Sequence, residues 1–490
     1  MKKLIIFLFF STLLVGTGCQ RFLQEDLRGK VLGDAALSTQ AGLESALTGT
    51  YKGLGNTWGT GFLHATAIGA TMGGDDVTTL PGGNKAELKE FDTFTVTAGN
   101  SRTGNLYSGC YKTIQSANNI INNYKKTVGV AATINIIAGE AYFLRALSYY
   151  WLVRLYGSIP LITSAEFSLD LLNIKRTEPA KIYALIESDL LLAEQMLPNT
   201  KRDVGRPNIG SAKALLADVY LTEGGWPIKD QSKYALAATK AKEVIDNHST
   251  YGFQLLPTFA AVFVNDPTLN GTAEDVFVIG ANKANGTTLD ANYGWSAMPG
   301  DIGGWDDFFS EINFFKDFPA GPRKDKTFAV TYTKSNGTVL TWQQLVTGHP
   351  YYQKFWIKQD DPGAQNYSSS LPFPMMRYAH VLTIYAEAMA RSGGPDALAY
   401  TCINSIRTRA GLTSLSVLSP ADFAAAVVQE RAWEFAGERT RWFDLVRLEM
   451  VEVANSHRDP AENAIPNPIT KANYTFPLPL SEVLANPNLK

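Results

Sequence analysis

The chain has 490 residues and a formal net charge of −2, from 44 Lys and Arg against 46 Asp and Glu. A surface so balanced carries no strong field to recruit nucleic acid or an anionic membrane, and nucleic acid is not expected as a partner. Aromatic residues reach 11%, with 9 Trp and 21 Tyr, while 3 Cys are too few for a disulfide framework.

Met1-Lys2-Lys3 is a basic start. Leu4 to Val15 follows as an apolar run interrupted by Ser11 and Thr12, and then come Gly16-Thr17-Gly18 and Cys19. A positive region, an apolar region and small residues in that order form a secretory signal. The apolar run is shorter than the roughly 20 residues of a membrane span. Small residues followed at once by cysteine resemble the lipobox of bacterial lipoproteins, with Gly16 where that motif usually has Leu. The resemblance implies a signal peptide over 1–18, cleavage before Cys19, and acyl chains such as palmitate on Cys19. Several acyl chains on one residue anchor a protein durably. Beyond residue 18 no apolar run is long enough to cross a bilayer.

Helical patterns dominate 19–249. Residues 104–124 carry Leu106, Ile114, Ala117, Ile120 and Ile121 near helical spacing. Residues 133–156 place Ile137, Ala141, Leu144, Trp151 and Leu155 on one stripe, with Ser148 its polar member, and Gly157 and Pro160 are stop signals. Helices are also predicted over 179–197, 209–223 and 232–247. Their pairing at 15–20 residues suggests tetratricopeptide-like helix-turn-helix units. Residues 250–373 are rich in Gly, Asn, Asp, Thr and aromatics with little periodicity, which reads as loops and short strands. So long an irregular stretch points to function rather than a connector. Helices return over 374–392, 395–410, 419–437 and 440–449, and from 456 a Pro- and Asn-rich tail is expected to wrap the surface. Cys110 and Cys402 read as small buried apolar residues.

Several segments resemble one family. Arg145-Ala146 through Leu152-Val153 to Tyr156-Gly157-Ser158-Ile159-Pro160-Leu161 resembles a signature helix of SusD/RagB-type nutrient-binding lipoproteins. Ala212–Leu221, Arg377–Ala388 and Ile403–Leu412 resemble three more, and Glu430-Arg431 through Arg441-Trp442-Phe443-Asp444-Leu445-Val446-Arg447 resembles a fifth. Phe476-Pro477-Leu478-Pro479 with Glu482 and Asn486-Pro487-Asn488-Leu489 resembles the family's closing signature, and Arg21-Phe22-Leu23 also fits. The resemblance implies a mainly α, SusD-like scaffold of tetratricopeptide type with a loop-rich, ligand-facing inserted region. It divides into 19–249, 250–373 and 374–490, the last completing the same domain. It further implies a surface-exposed, lipid-anchored outer-membrane protein that captures a nutrient for a SusC-like TonB-dependent transporter.

The physical reading of these motifs is structural. Glu438, Arg441, Asp444 and Arg447 step by three, so opposite charges would meet along one helix face, with Trp442, Phe443 and Leu445 turned to the core. Arg145 and Glu387 are candidate buried partners. Gly73-Gly74-Asp75-Asp76 reads as an exposed acidic turn, with Ca²⁺ binding the less favoured alternative. None of the five His, at 64, 248, 349, 380 and 457, lies at metal-ligand spacing, and no HExxH, GxSxG or phosphate loop is present. No cofactor or metal is expected. A glycosidase needs only two carboxylates about 5–10 Å apart, so a surface glycosidase remains the enzyme alternative.

The informative aromatics lie in Gly-rich, aperiodic segments. Tyr293, Trp295 and Trp305 fall in the middle region, and Trp58 stands among Gly55, Gly59 and Gly61. Flat rings cover the apolar faces of sugars while keeping a polar edge. Asp301, Asp306 and Asp307 are placed to accept bonds from hydroxyls. The competing reading is that these rings fill local mini-cores beneath the loops. The function expected is non-catalytic capture of an oligosaccharide, with a peptide ligand or a purely adhesive role as alternatives.

Overall fold

In the computed structural model the first described helix, α1 (Gln40–Lys52), is capped by the Thr39 hydroxyl accepting from the Gly42 amide at 3.2 Å. The described residues are 36–55, 61–62, 65–166, 168–263, 271–280, 293–356 and 372–490; the signal region, Cys19 and Trp58 lie outside them. After α1 come α2 (Ser101–Asn123), α3 (Ala131–Tyr156), α4 (Pro179–Met196), α5 (Ile209–Glu223) and α6 (Lys233–Asp246). Local chemistry sets their ends. The Asn100 side chain caps α2, Pro179 opens α4, and Asn208 and Ser211 form a reciprocal capping box on α5. Gly157 closes α3 at φ +67°, a left-handed conformation that a residue with a Cβ rarely adopts.

Each helix from α2 to α6 packs on the one before it. The series then resumes across the inserted region: α6 packs on α7 (Tyr378–Ser392), which packs on α8 (Ala397–Arg409) and α9 (Pro420–Glu434). The fold is therefore mainly α and tetratricopeptide-like, as expected.

Helix α3 departs from its expected single stripe. It is buried around nearly its whole circumference, because α1, α2, α4 and α5 all pack against it. A helix enclosed on all sides must satisfy its polar groups internally. Arg145 donates to both oxygens of Asp189 at 2.8 and 2.7 Å and to Asn118 at 2.8 Å. Glu140 accepts from Tyr51 at 2.5 Å, Arg202 at 2.7 Å and Arg206 at 2.9 Å.

The aperiodic middle is built from short pieces. Strand β1 (Val77–Thr78) pairs with β3 (Phe309–Ser310), β2 (Asp275–Ile279) with β6 (Phe373–Arg377), and β4 (Thr331–Thr333) with β5 (Val339–Thr341), all antiparallel. Phe309, Ala329, Tyr332, Leu345 and Tyr351 form a small core of their own, separate from the main one.

A buried ionic lattice bolts this region to the scaffold. Arg377, fully buried, donates to Glu438 at 2.8 Å, Glu274 at 2.5 Å and Glu434 at 3.1 Å. Arg409 reaches Glu274 at 2.6 Å, Arg323 reaches Glu430 at 2.6 Å, and Lys354 reaches Glu438 at 2.6 Å. Burial pushes the Glu438 carboxyl up, yet Arg377 and Lys354 outweigh it and hold it down at about 2.

The charges around helix α10 (Arg441–Arg447) differ from their expected run along one face. Glu438 precedes the helix, beyond Arg439 at φ +69°. Only Asp444 and Arg447 pair within α10, at 2.8 Å; Arg441 goes to Asp75, Asp444 also to Arg431, and Arg447 also to Glu387. The motif is structural, but it works between elements. The Gly73–Asp76 turn is likewise not an exposed acidic loop. Asp76 is buried and accepts the Gly437 amide at 2.9 Å, while Asp75 takes a bidentate bond from Arg441. The tail packs closely, with Tyr474, Leu478 and Leu489 in the core.

Candidate functional site

The site is built on residues 293–308. A short helix, Tyr293–Ser296, is followed by a tight turn, Gly300–Ile302, closed by Gly303 at φ +96°. The chain then doubles back, and the Trp305 amide donates to the Trp295 carbonyl at 3.0 Å. That bond sets the two half-buried indoles side by side, centroids 6.5 Å apart and planes 29° from parallel. Two nearly parallel, half-buried indoles offer aromatic surface that suits the apolar face of a ring.

Tyr293 does not join this face. It is 3% exposed, its hydroxyl donates to the Gly437 carbonyl at 2.8 Å, and its ring packs on Phe308 and Phe355 at 5.0 Å. Burial pushes its phenol well up, so it stays a neutral donor. Core packing, not ligand stacking, accounts for it, and the mini-core reading holds at this position. Gly437, at φ +71°, receives Tyr293 on its carbonyl and offers its amide to Asp76, tying the loop to the scaffold.

The nearby carboxylates are engaged within the protein rather than open to hydroxyls. Asp301 accepts the Val346 amide at 3.0 Å and pairs with Lys334 at 3.4 Å. Asp306, at φ +53°, accepts the Gly300 amide at 2.7 Å and the Tyr351 hydroxyl. Asp307 is buried against Lys85. Their work is to fix the turn beneath the indoles. Trp58 lies outside the described residues, although Gly55 and Gly61 on either side of it bridge to each other.

The sequence reading passed over Trp356. Its indole N–H donates to the Ala297 carbonyl at 2.9 Å and its ring packs on Tyr332 at 5.8 Å. It thus props the same loop from the small core. Its place in the same aromatic-rich stretch was the available signal. Among the described residues no cluster of three or more His, Cys, Asp and Glu is placed to hold a metal ion. Burial pushes the thiols of Cys110 and Cys402 up, the latter to about 12, which makes them inert.

Stacked helices carrying a loop-built aromatic pair define a helical-repeat scaffold protein. The chain belongs to the SusD-like family: residues 285–490 match the SusD family model, and residues 34–221 match a model described as starch-binding associating with outer membrane. It is similar to SusD-like protein P2 of Formosa agariphila, 29% identical over 517 residues covering 100% of this chain and 99% of the relative. A SusD superfamily protein of Parabacteroides distasonis shares the fold at a TM-score of 0.79 and 24% identity, covering 92% of this chain and 98% of that one. A laminarin-binding SusD-like protein does so at 0.76 and 23%, again covering 92% and 98%. No helix of the described residues is long and apolar enough to cross a membrane.

Proposed function

We propose that this protein captures an oligosaccharide at the outer-membrane surface without cleaving it and passes it to a SusC-like TonB-dependent transporter. The observation that carries the reading is the Trp295–Trp305 pair, half-buried and nearly parallel on a turn whose carboxylates brace it. Membership of a family described in part as starch-binding and outer-membrane-associated supports it, as does the shared fold of a laminarin-binding relative. Acyl chains on Cys19 would hold the mature chain at the membrane while the transporter takes the ligand.

The test is calorimetric titration of the mature protein with laminarin-, starch- and xyloglucan-derived oligosaccharides. Trp295→Ala and Trp305→Ala should each weaken the bound glycan by about 1–3 kcal/mol, the cost of truncating an anchoring aromatic. The recovered glycan should be intact. Binding of peptides but no glycan would overturn the ligand class. Cleavage lost on removal of one Asp or Glu would convert the protein to a glycosidase. Unchanged affinity in both tryptophan variants would remove the stacking face.

A further inference from the structure

A second groove shares no lining residue with the tryptophan pair. It lies where the short helix Ile312–Asp317 meets α9 and the helix Val451–Asn455, and it encloses about 290 Å³. That is near the lower end of the ~300–1,000 Å³ of small-ligand clefts, so it suits one ring and its substituents rather than a long chain. Trp433 of α9 forms a half-buried wall, and Phe314 extends the apolar surface. Gln429 lies four residues before Trp433, on the same helix face. Asp317 lines the groove from the end of the short helix Ile312–Asp317.

The polar groups of the groove are open to solvent and to a ligand: the half-buried Trp433 and the exposed Asp317 and Gln429 all line it and make no hydrogen bond to any described residue. The Asp75 carboxylate, which also lines it, is held by Arg441 at 2.5 and 2.7 Å and keeps 21% of its side chain exposed. Of the other groups that line it, Glu311 caps the Phe314 amide at 2.6 Å, Arg458 pairs with Asp92 at 2.6 Å, and His457 is exposed. What remains open is an aromatic wall, a pre-set carboxylate–guanidinium pair and a rim of amide and carboxylate. A neutral polyhydroxylated ring matches it: the wall covers C–H, and bidentate polar groups meet adjacent hydroxyls.

We propose that this groove is a second sugar site, taking one pyranose ring of a neutral glycan against Trp433, with Asp317, Gln429 and the Asp75–Arg441 pair on its hydroxyls. The proposal rests on the glycan reading of the Trp295–Trp305 face and extends it. Two sites on one chain let a long glycan bind at both, raising avidity beyond either site alone.

Fluorine NMR of the mature protein carrying 5-fluorotryptophan tests it, with resonances assigned by single Trp→Phe variants. The probes are glucose-, xylose-, galactose- and mannose-based oligosaccharides at millimolar concentration. The Trp433 resonance should shift saturably with at least one probe, and should still do so in the Trp295→Ala/Trp305→Ala protein. Asp317→Ala, an exposed change that breaks no internal hydrogen bond, should weaken that titration about tenfold. A static Trp433 beside shifting Trp295 and Trp305 overturns the second site and leaves the first. Three static tryptophans overturn both. A Trp433 titration unchanged by Asp317→Ala and by Gln429→Ala overturns the hydroxyl contacts assigned here.

Discussion

Tyr293 and Trp295 sit two residues apart in the same Gly-rich segment, yet one is core and the other is only half-buried. Composition around them is the same; Phe308 of the same segment and Phe355, which arrives from elsewhere in the chain, close over Tyr293. Tyr293→Phe should therefore lower stability by about 1 kcal/mol, for one buried hydrogen bond lost, and leave glycan affinity unchanged. Paired thermal melts and titrations check this, and a loss of affinity at unchanged stability would return Tyr293 to the site. Asp76 carries a pH signature. Burial raises its carboxyl from the ordinary range to about 7, against the Gly437 amide that lowers it. The folded protein thus holds a proton that the unfolded chain releases near pH ~4, so this residue's contribution falls as pH rises toward about 7. Asp76→Asn should gain on the wild type as pH climbs through that window, by up to a few kcal/mol. Melting curves with a pH-independent gap would show that Asp76 ionises freely in the fold.

The scaffold helices were largely legible. The predicted spans over 179–197, 209–223 and 232–247 fall within a residue or so of α4, α5 and α6, because caps and 3.6-residue spacing act within a few residues. Charge partners were not legible, since the pattern around α10 resolves across elements. The ionic lattice about Arg377 makes the clearest prediction. Arg377→Ala leaves Glu274, Glu434 and Glu438 short of a partner in a buried setting, which should cost about 3–5 kcal/mol. Limited proteolysis should then cut first within 293–356. Wild-type melting and an unchanged digestion pattern would mean the lattice does not hold the inserted region. Its pH dependence runs opposite to that of Asp76. Glu438 is held at about 2 by Arg377 and Lys354, so its contribution is full above about pH 4.5 and is lost as pH falls from there toward 2.

For the whole molecule, the anchor is the decisive expectation. Metabolic labelling with a fatty-acid analogue should mark the wild type and not Cys19→Ser, and equal labelling would remove the lipid assignment. The sequence by itself determined the helical scaffold and the family resemblance, and it carries the expectation of a secretory signal with a lipid cysteine. Each of these is written in short contiguous runs, where hydrogen bonds, caps and peptide chemistry operate locally. Only the tertiary structure decided that Tyr293 is core while Trp295 and Trp305 are half-buried, that Asp301 and Asp306 brace a turn, and that Asp76 is buried. It also brought Trp433 and Asp317 to one groove. The physical reason is distance along the chain: Asp75 meets Arg441 across 366 residues and Asp76 meets Gly437 across 361. Burial and charge pairing at such separations depend on how the whole chain closes, which no local spacing records.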